Sequence, residues 1–213
     1  MYIAIEGVIG VGKTTLARLL QNSFDAEILL EVFEENPFLS DFYSDRERYA
    51  FQTQIFFLLS RYHQQRRTVH DLLENGKNVL ADYTFAKDAL FARINLKGDE
   101  LDMYYKVHEA LAEKIEKPDL LVYLQASTDT LMQRIATRDR PYERQMERSY
   151  IHELNLAYDD FFSKPFDHTP VLTIDTNHLN IIQEPEHLRW IENRIRQSLN
   201  VPPFQQSLPL PEA

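Results

Sequence analysis

The sequence predicts an α/β layer fold carried on five parallel strands, and three observations predict it. Short apolar runs alternate with stretches of helical periodicity along the 213 residues, a pattern that demands a sheet with crossover helices, right-handed where chirality applies. The first run, Tyr2 to Ile5, leads directly into Gly7-Val8-Ile9-Gly10-Val11-Gly12-Lys13-Thr14-Thr15, which fits G-x-x-x-x-G-K-[ST] set between a strand and a helix. Leu120 to Leu124 is apolar without interruption, as expected of a parallel strand covered on both faces.

Each element has a local reason. After the glycine-rich turn, Thr15 to Phe24 continues as a helix, and Ala26 to Leu30 is a short strand that delivers Glu31 at its carboxyl end. Asn36-Pro37 signals a turn. From about Arg46 to Glu74, Tyr49, Phe51, Ile55, Phe56, Leu58, Leu59 and Tyr62 recur at helical spacing, and Asn75-Gly76 stops the helix. Asn78 to Ala81 is the third strand, ending at Asp82, and helices follow over Ala86 to Ile94 and over residues 99 to 116, the latter closed by Pro118. After the Leu120 strand, Ser127 caps a helix to about Arg138. Residues 139 to 146 hold little apolar material and read as a loop, 147 to 163 as a helix, Val171 to Ile174 as the last strand and Glu184 to Leu199 as the closing helix. The tail from Val201 to Ala213 has four prolines and is expected to be disordered or loosely laid on the surface.

Length and an apolar content of 44% suffice for one domain with a full core. The N-terminus has no basic region or long apolar stretch, and no run approaches the roughly 18 residues that span a bilayer. The expectation is a soluble, uncleaved protein with no membrane partner. The absence of cysteine excludes a disulfide framework and thiolate metal sites and fits a cytoplasmic location. A net charge of −10 argues against a nucleic-acid surface, which needs a basic face. Positive charge is concentrated instead at Arg134, Arg138, Arg140, Arg144 and Arg148. For Arg144 and Arg148 the expectation is a solvated face paired with acidic neighbours.

The chemistry starts at the glycine-rich turn. Its glycines let successive backbone N–H groups from Gly7 to Thr15 turn inward on a polyphosphate, Lys13 adds charge at the outer phosphates, and the Thr14 hydroxyl is placed to ligate Mg²⁺. Three of the chain's five glycines sit here, so the turn is a phosphate-binding loop rather than one of many glycine turns. Such a loop serves kinases, ATPases and switches alike, so the carboxylates must decide. Glu31 is placed to take a proton from an attacking hydroxyl, or else is one surface acid among Glu31, Glu34 and Glu35. Asp82 holds the metal, directly or through water, orients the substrate, or caps the next helix. Arg134 and Arg138 share a helix face and Arg140 opens the loop after it, as in a mobile segment that neutralises a transferring group and excludes water. Gln54 and Arg61, seven residues apart, share a face of the long helix. Gln54 offers the donor and acceptor that a nucleobase edge requires, or is a satisfied polar residue of a helix interface.

Together these residues resemble the deoxyribonucleoside kinase family, and within it the bacterial deoxyguanosine and deoxyadenosine kinases. The likeness spans nearly the whole chain before the tail. It rests on Glu6-Gly7 to Thr15, on Glu31-Val-Phe-Glu-Glu-Asn-Pro-Phe-Leu, on Phe51-Gln-Thr-Gln-Ile-Phe-Phe-Leu-Leu-Ser-Arg61, on Asp82-Tyr-Thr with Asp88, and on Arg134-Ile-Ala-Thr-Arg138-Asp-Arg140-Pro-Tyr-Glu143. The resemblance implies a P-loop kinase fold over residues 1–200, with an arginine-bearing lid at about 138–146 and helices on both faces of the sheet. It implies that Glu31 is the base for the 5′-hydroxyl, that Tyr43 and Glu143 bind the 3′-hydroxyl, and that Gln54 pairs with the base, helped by Arg61 and Asp88. Arg134, Arg138 and Arg140 would belong to the lid. An ungapped match selects Gln54 over Gln52 as the base reader.

Two departures stand out: Tyr83 follows Asp82 where the family commonly has arginine, and Val32 follows Glu31 where it often has proline. Asp-Tyr is similar to the bacterial deoxyguanosine kinases. The implied activity is ATP- and Mg²⁺-dependent phosphorylation of a purine deoxyribonucleoside, deoxyguanosine before deoxyadenosine, for deoxynucleotide salvage by a homodimer. Two alternatives remain at this point, a nucleoside monophosphate kinase of the thymidylate type and a non-catalytic ATP-binding regulatory module.

Overall fold

The computed structural model describes residues 1–164, 166 and 169–203, with the backbone alone at Glu34. Five strands, β1 (Tyr2–Glu6), β2 (Ala26–Leu29), β3 (Asn78–Ala81), β4 (Leu120–Gln125) and β5 (Val171–Asp175), form one sheet in the order β2-β3-β1-β4-β5. Every neighbouring pair is parallel. β1 sits at the centre, Ala4 pairing with Ala81 on one side and with Leu121 on the other. Its side chains alternate between two apolar layers, Ile3 and Ile5 in one and Tyr2 and Ala4 in the other. All five strands lie within one or two residues of their predicted bounds.

From β1 the chain crosses to the edge at β2, returns to β3, and then passes over β1 to β4. The crevice beyond the carboxyl ends of β1 and β3, where the winding reverses, is the natural ligand position of such a sheet. The phosphate loop, Glu31 and Asp82 are delivered to that edge by β1, β2 and β3.

The helices are α1 (Lys13–Leu20), α2 (Leu39–Ser44), α3 (Arg46–Gln64), α4 (His70–Glu74), α5 (Lys87–Asn95), α6 (Gly98–Ala112), α7 (Thr128–Arg138), α8 (Arg148–Phe162) and α9 (Pro185–Ser198). α1 begins two residues before the predicted Thr15 and ends four before Phe24, because the chain turns through Asp25 at φ 45° to enter β2. α6 stops at Ala112, short of residue 116. Ser127 caps α7 as predicted, its side chain accepting from the Thr130 N–H. The sequence pattern does not predict the short α2 or the 3₁₀ turn Phe33–Glu35; with fewer than two turns each, they carry no periodicity to detect. The 139–146 loop contains one 3₁₀ turn, Pro141–Glu143.

The long helix expected over 46–74 is α3 and α4 joined by a π turn, Gln65–Val69. Beside that turn, the Gln64 amide donates to Leu30 O at 2.8 Å and accepts from the Tyr83 hydroxyl at 2.6 Å. A π turn inside a helix commonly marks a functional site, and this one lies against the strand ends that carry Glu31 and Asp82. The expectation for the tail falls, from residue 204 on, outside the described residues. Among those described, no helix is long and apolar enough to cross a membrane.

Candidate active site

The phosphate loop leaves β1 at Gly7, where φ is 146° and a Cβ would come within 2.5 Å of Leu124 O. Only glycine fits, on conformation and on space alike. Gly12, at φ 110°, is the N-cap of α1, so the positive end of that helix opens onto the loop. The Lys13 ammonium donates to Gly7 O at 2.6 Å and Val8 O at 3.2 Å, folded back on the loop it serves. Burial, with repulsion from Lys87 added, pushes its amine down to about 8.

One buried acid ties this end of the sheet together. Glu6 is fully buried and accepts from Gly7 N–H at 3.2 Å, from the Thr84 N–H and hydroxyl at 2.6 and 2.9 Å, and from the Tyr158 hydroxyl at 3.3 Å. It joins the start of the phosphate loop to the segment after β3. Asp82 makes a second tie, accepting from the Thr14 hydroxyl at 2.5 Å and from Glu31 N–H at 2.8 Å. Helix α5 begins at Lys87 with Ala86 as its N-cap, so Asp82 does not cap it.

Glu31 is no surface acid: its side chain is 15% exposed. One carboxylate oxygen accepts from Arg61 Nε at 2.9 Å and also from Arg61 Nη2, and the other accepts from Lys87 Nζ at 2.7 Å. Burial alone would raise this carboxyl, but the charges of Arg61 and Lys87 override it and hold the group well below the usual carboxylate range. Arg61 reaches Asp88 with its remaining Nη1. Asp88 is fully buried behind Arg61, and its Oδ2, like Gln54 Oε1, has no hydrogen-bond partner among the described residues.

The cavity in front of Glu31 brings together Gly7, Gly10, Lys13 and Thr14 of the loop, Asp82, and Gln54 and Arg61 of α3. Gln54 is 2% exposed and its Oε1 has no partner among the described residues, whereas Gln52 is exposed. An unpartnered buried acceptor costs stability unless a ligand fills it, which sets Gln54 apart from a satisfied polar residue of a helix interface. Thr53 beside it, fully buried, also presents an unpartnered hydroxyl to this cavity.

Tyr43 and Glu143 meet on the far wall. Tyr43 stacks on Tyr142 at 6.4 Å between centroids, and Glu143, 5% exposed, accepts from Arg138 at 2.6 and 3.2 Å. Arg140 lies 3.7 Å from the same carboxylate and rests over the Phe33 ring at 4.4 Å. Arg138 and Arg140 thus line the cavity. Arg134 does not: it donates to Val11 O at 3.1 Å and to the hydroxyl and carbonyl of Thr176 at 2.9 and 2.6 Å. It lines a second, more open cavity between the phosphate loop, α7 and the β5–α9 segment from Thr176 to Gln183. Arg144 and Arg148 pair with exposed Asp139 and Asp129, as expected of a solvated face.

Sequence reasoning missed Lys87, Glu6, Thr53 and the β5–α9 segment. Two signals were available. Lys87 puts a cation in the first turn of a helix, against the dipole, and Glu6 puts an acid in a strand that is otherwise apolar. Thr14 and Asp82, already in contact, suit Mg²⁺, which is bound through one or two carboxylates together with substrate phosphates. Among the described residues no cluster of three His, Cys, Asp or Glu offers an all-protein metal site.

Comparison with known proteins supplies the family. Residues 3–200 match the family model for deoxynucleoside kinase. A deoxyguanosine kinase of Bacillus subtilis is 38% identical over 82% of this chain and 84% of the relative. A deoxyadenosine/deoxycytidine kinase of the same species is 30% identical over 91% of this chain and 90% of the relative. The solved structure of a deoxyadenosine kinase from M. mycoides with bound dATP superposes with a TM-score of 0.79 at 26% identity, covering 92% of this chain and 99% of that one. Matched by that family model from residue 3 to residue 200 and 38% identical to such a kinase over most of both chains, this chain belongs to the deoxynucleoside kinase family.

Proposed function

We propose that this kinase phosphorylates the 5′-hydroxyl of a purine deoxyribonucleoside, deoxyguanosine first and deoxyadenosine second, with Mg-ATP as donor, in deoxynucleotide salvage. The observation that carries the reading is the Glu31 carboxylate, held ionised by Arg61 and Lys87 in the cavity that also presents the phosphate loop and the unpartnered Gln54 Oε1. In this reading the nucleoside places its base against Gln54 and Thr53 and its 3′-hydroxyl between Tyr43 and Glu143. A purine supplies the N–H donor that Gln54 Oε1 lacks. Arg61, fixed by Asp88, keeps Glu31 aimed at the 5′-hydroxyl.

Glu31 accepts the hydroxyl proton as that oxygen attacks the γ-phosphorus in line and the bond to the β-phosphate breaks. The phosphate loop with Lys13 holds the triphosphate, and Arg138 and Arg140 neutralise its outer oxygens. Arg134 joins the lid to the loop through Val11 and Thr176. When bound, Mg²⁺ would offset charge on the phosphates, with Thr14 and Asp82 as its protein partners, directly or through water. The order of the two purines is supported by the deoxyguanosine kinase relative. A homodimer and a cytoplasmic location complete the reading, and light scattering that returned a monomer mass would remove the first.

The test is incubation with Mg-ATP and each of the four natural deoxyribonucleosides, with deoxyguanosine and thymidine monophosphates alongside. Monophosphate formed chiefly from deoxyguanosine, then deoxyadenosine, is the expected product. Diphosphate from a monophosphate, with nucleosides inert, would assign Glu31 and the lid to another acceptor.

A further inference from the structure

Beyond holding Glu31 ionised, one buried charge of the cavity wall, Lys87, has no part in the transfer chemistry described so far. Lys87 is 4% exposed, its ammonium donates to Glu31 Oε2 at 2.7 Å, and Glu31 is the one acid it pairs with among the described residues. The rings of Tyr83 and Phe91 lie 5.6 and 5.9 Å from the ammonium, and Tyr83 is fixed by its hydroxyl on Gln64. The cation is therefore positioned from three sides, and it shares the cavity wall with Lys13 and Thr14 of the phosphate loop. Its charge is near enough to Lys13 to help depress that amine.

A buried cation is tolerated only while an anion faces it. In the resting site that anion is Glu31. Once Glu31 takes up the hydroxyl proton it is neutral, and Lys87 loses its partner just as phosphoryl oxygens reach the acceptor oxygen beside it. Arg61 escapes this exchange, because Asp88 remains its partner throughout.

We propose that Lys87 is a catalytic residue of the transfer, its ammonium passing from Glu31 to the non-bridging oxygens of the phosphoryl group as the carboxylate is neutralised. The inference rests on Glu31 being the base. The acceptor O–H bond breaks and its proton goes to Glu31, while the oxygen's electron pair forms the new O–P bond. The bond from phosphorus to the bridging oxygen breaks, and its pair leaves on the nucleoside diphosphate. Lys87 stays protonated and changes only its partner.

The test compares wild type with Lys87→Met, Lys87→Gln and Lys87→Arg, measuring kcat and KM with Mg-ATP and the best nucleoside, nucleoside affinity by calorimetry without donor, and thermal melting. Loss of a charge that acts on the transition state should lower kcat by ~10²–10³ in the Met and Gln variants. Nucleoside affinity should change by less than about threefold, and Lys87→Arg should keep kcat within about tenfold of wild type. Lys87→Gln keeps a donor toward Glu31, so if the Met variant misfolds, the Gln variant still separates the two outcomes. Turnover within about threefold of wild type in a neutral variant, or equal losses of kcat and nucleoside affinity, would overturn the inference. A wild type inert on every nucleoside would instead remove the reading of Glu31 on which it rests.

Discussion

The two cavities that meet at the phosphate loop are built on opposite plans. The cavity that the proposed function assigns to the acceptor is narrow, about 110 Å³ against about 610 Å³ for the other, and its charged groups are wired before any ligand arrives. Arg61 and Lys87 hold Glu31, Asp88 backs Arg61, and Arg138 holds Glu143. The open side, by contrast, is walled by Arg134, bonded to backbone and to Thr176, and by the segment through Ile182, which is 75% exposed. Preorganisation costs stability through buried charge and returns selectivity and rate. Under the proposed function it is concentrated on the acceptor, where the reacting hydroxyl must be chosen and aimed. A polyphosphate carries its own charge and needs little more than a loop of N–H groups and a cation.

Changes on the wired side should therefore cost far more than changes on the open side. The largest effect belongs to Glu31→Gln, which removes the base and keeps the shape: kcat should fall by ~10²–10⁴ with nucleoside affinity little changed. Near wild-type turnover would take Glu31 out of the mechanism. Arg61→Ala leaves Glu31 and Asp88 buried with a partner gone and should cost about 3–5 kcal/mol in urea unfolding. A loss below about 1 kcal/mol would mean that the network is not wired as described.

Next comes Gln54→Ala, expected to flatten the ratio of kcat/KM between bases by about 10–100-fold; an unchanged ratio would restore the helix-interface role for this side chain. Smaller still is a pH effect at the loop. The Lys13 amine is pushed down to about 8, and a bound polyphosphate favours its charged form and raises it again. Binding near pH 8 should therefore take up a proton, and triphosphate affinity should weaken as pH rises from 7 to 9, by at most about tenfold per unit. Calorimetry in buffers of different ionisation enthalpy reads the proton directly, and release instead of uptake would reverse the sign. On the open side, Ile182→Ala should change KM for ATP by less than about threefold, as for an exposed side chain away from the reacting atoms. A tenfold rise would show that the open side is also tightly read.

Family, fold class and phosphotransfer chemistry were legible in the sequence, and particular residues show why. Loop residues Gly7 to Thr15 are contiguous, so their geometry is local. The five strands announce themselves by apolar runs, and Gln54 with Arg61 by helical phase. Lys87 carried only the signal of a cation in the first turn of a helix; its pairing was not legible because the partner, Glu31, is 56 residues away in the chain. The helix bounds that shifted, at α1 and α6, are ends, where capping and turns compete with weak periodicity.

The sequence by itself determined the phosphate loop and its place between β1 and α1, because that turn is made of backbone and nearest neighbours. It also determined which strand ends carry acids. Only the tertiary structure decided that Glu31 is buried and ionised, that Asp82 ties Thr14 to the Glu31 backbone rather than capping a helix, and that Arg134 clamps Thr176 away from the acceptor cavity. Those outcomes depend on charges brought together from distant segments, and burial sets the strength of each interaction only after the sheet has assembled around them.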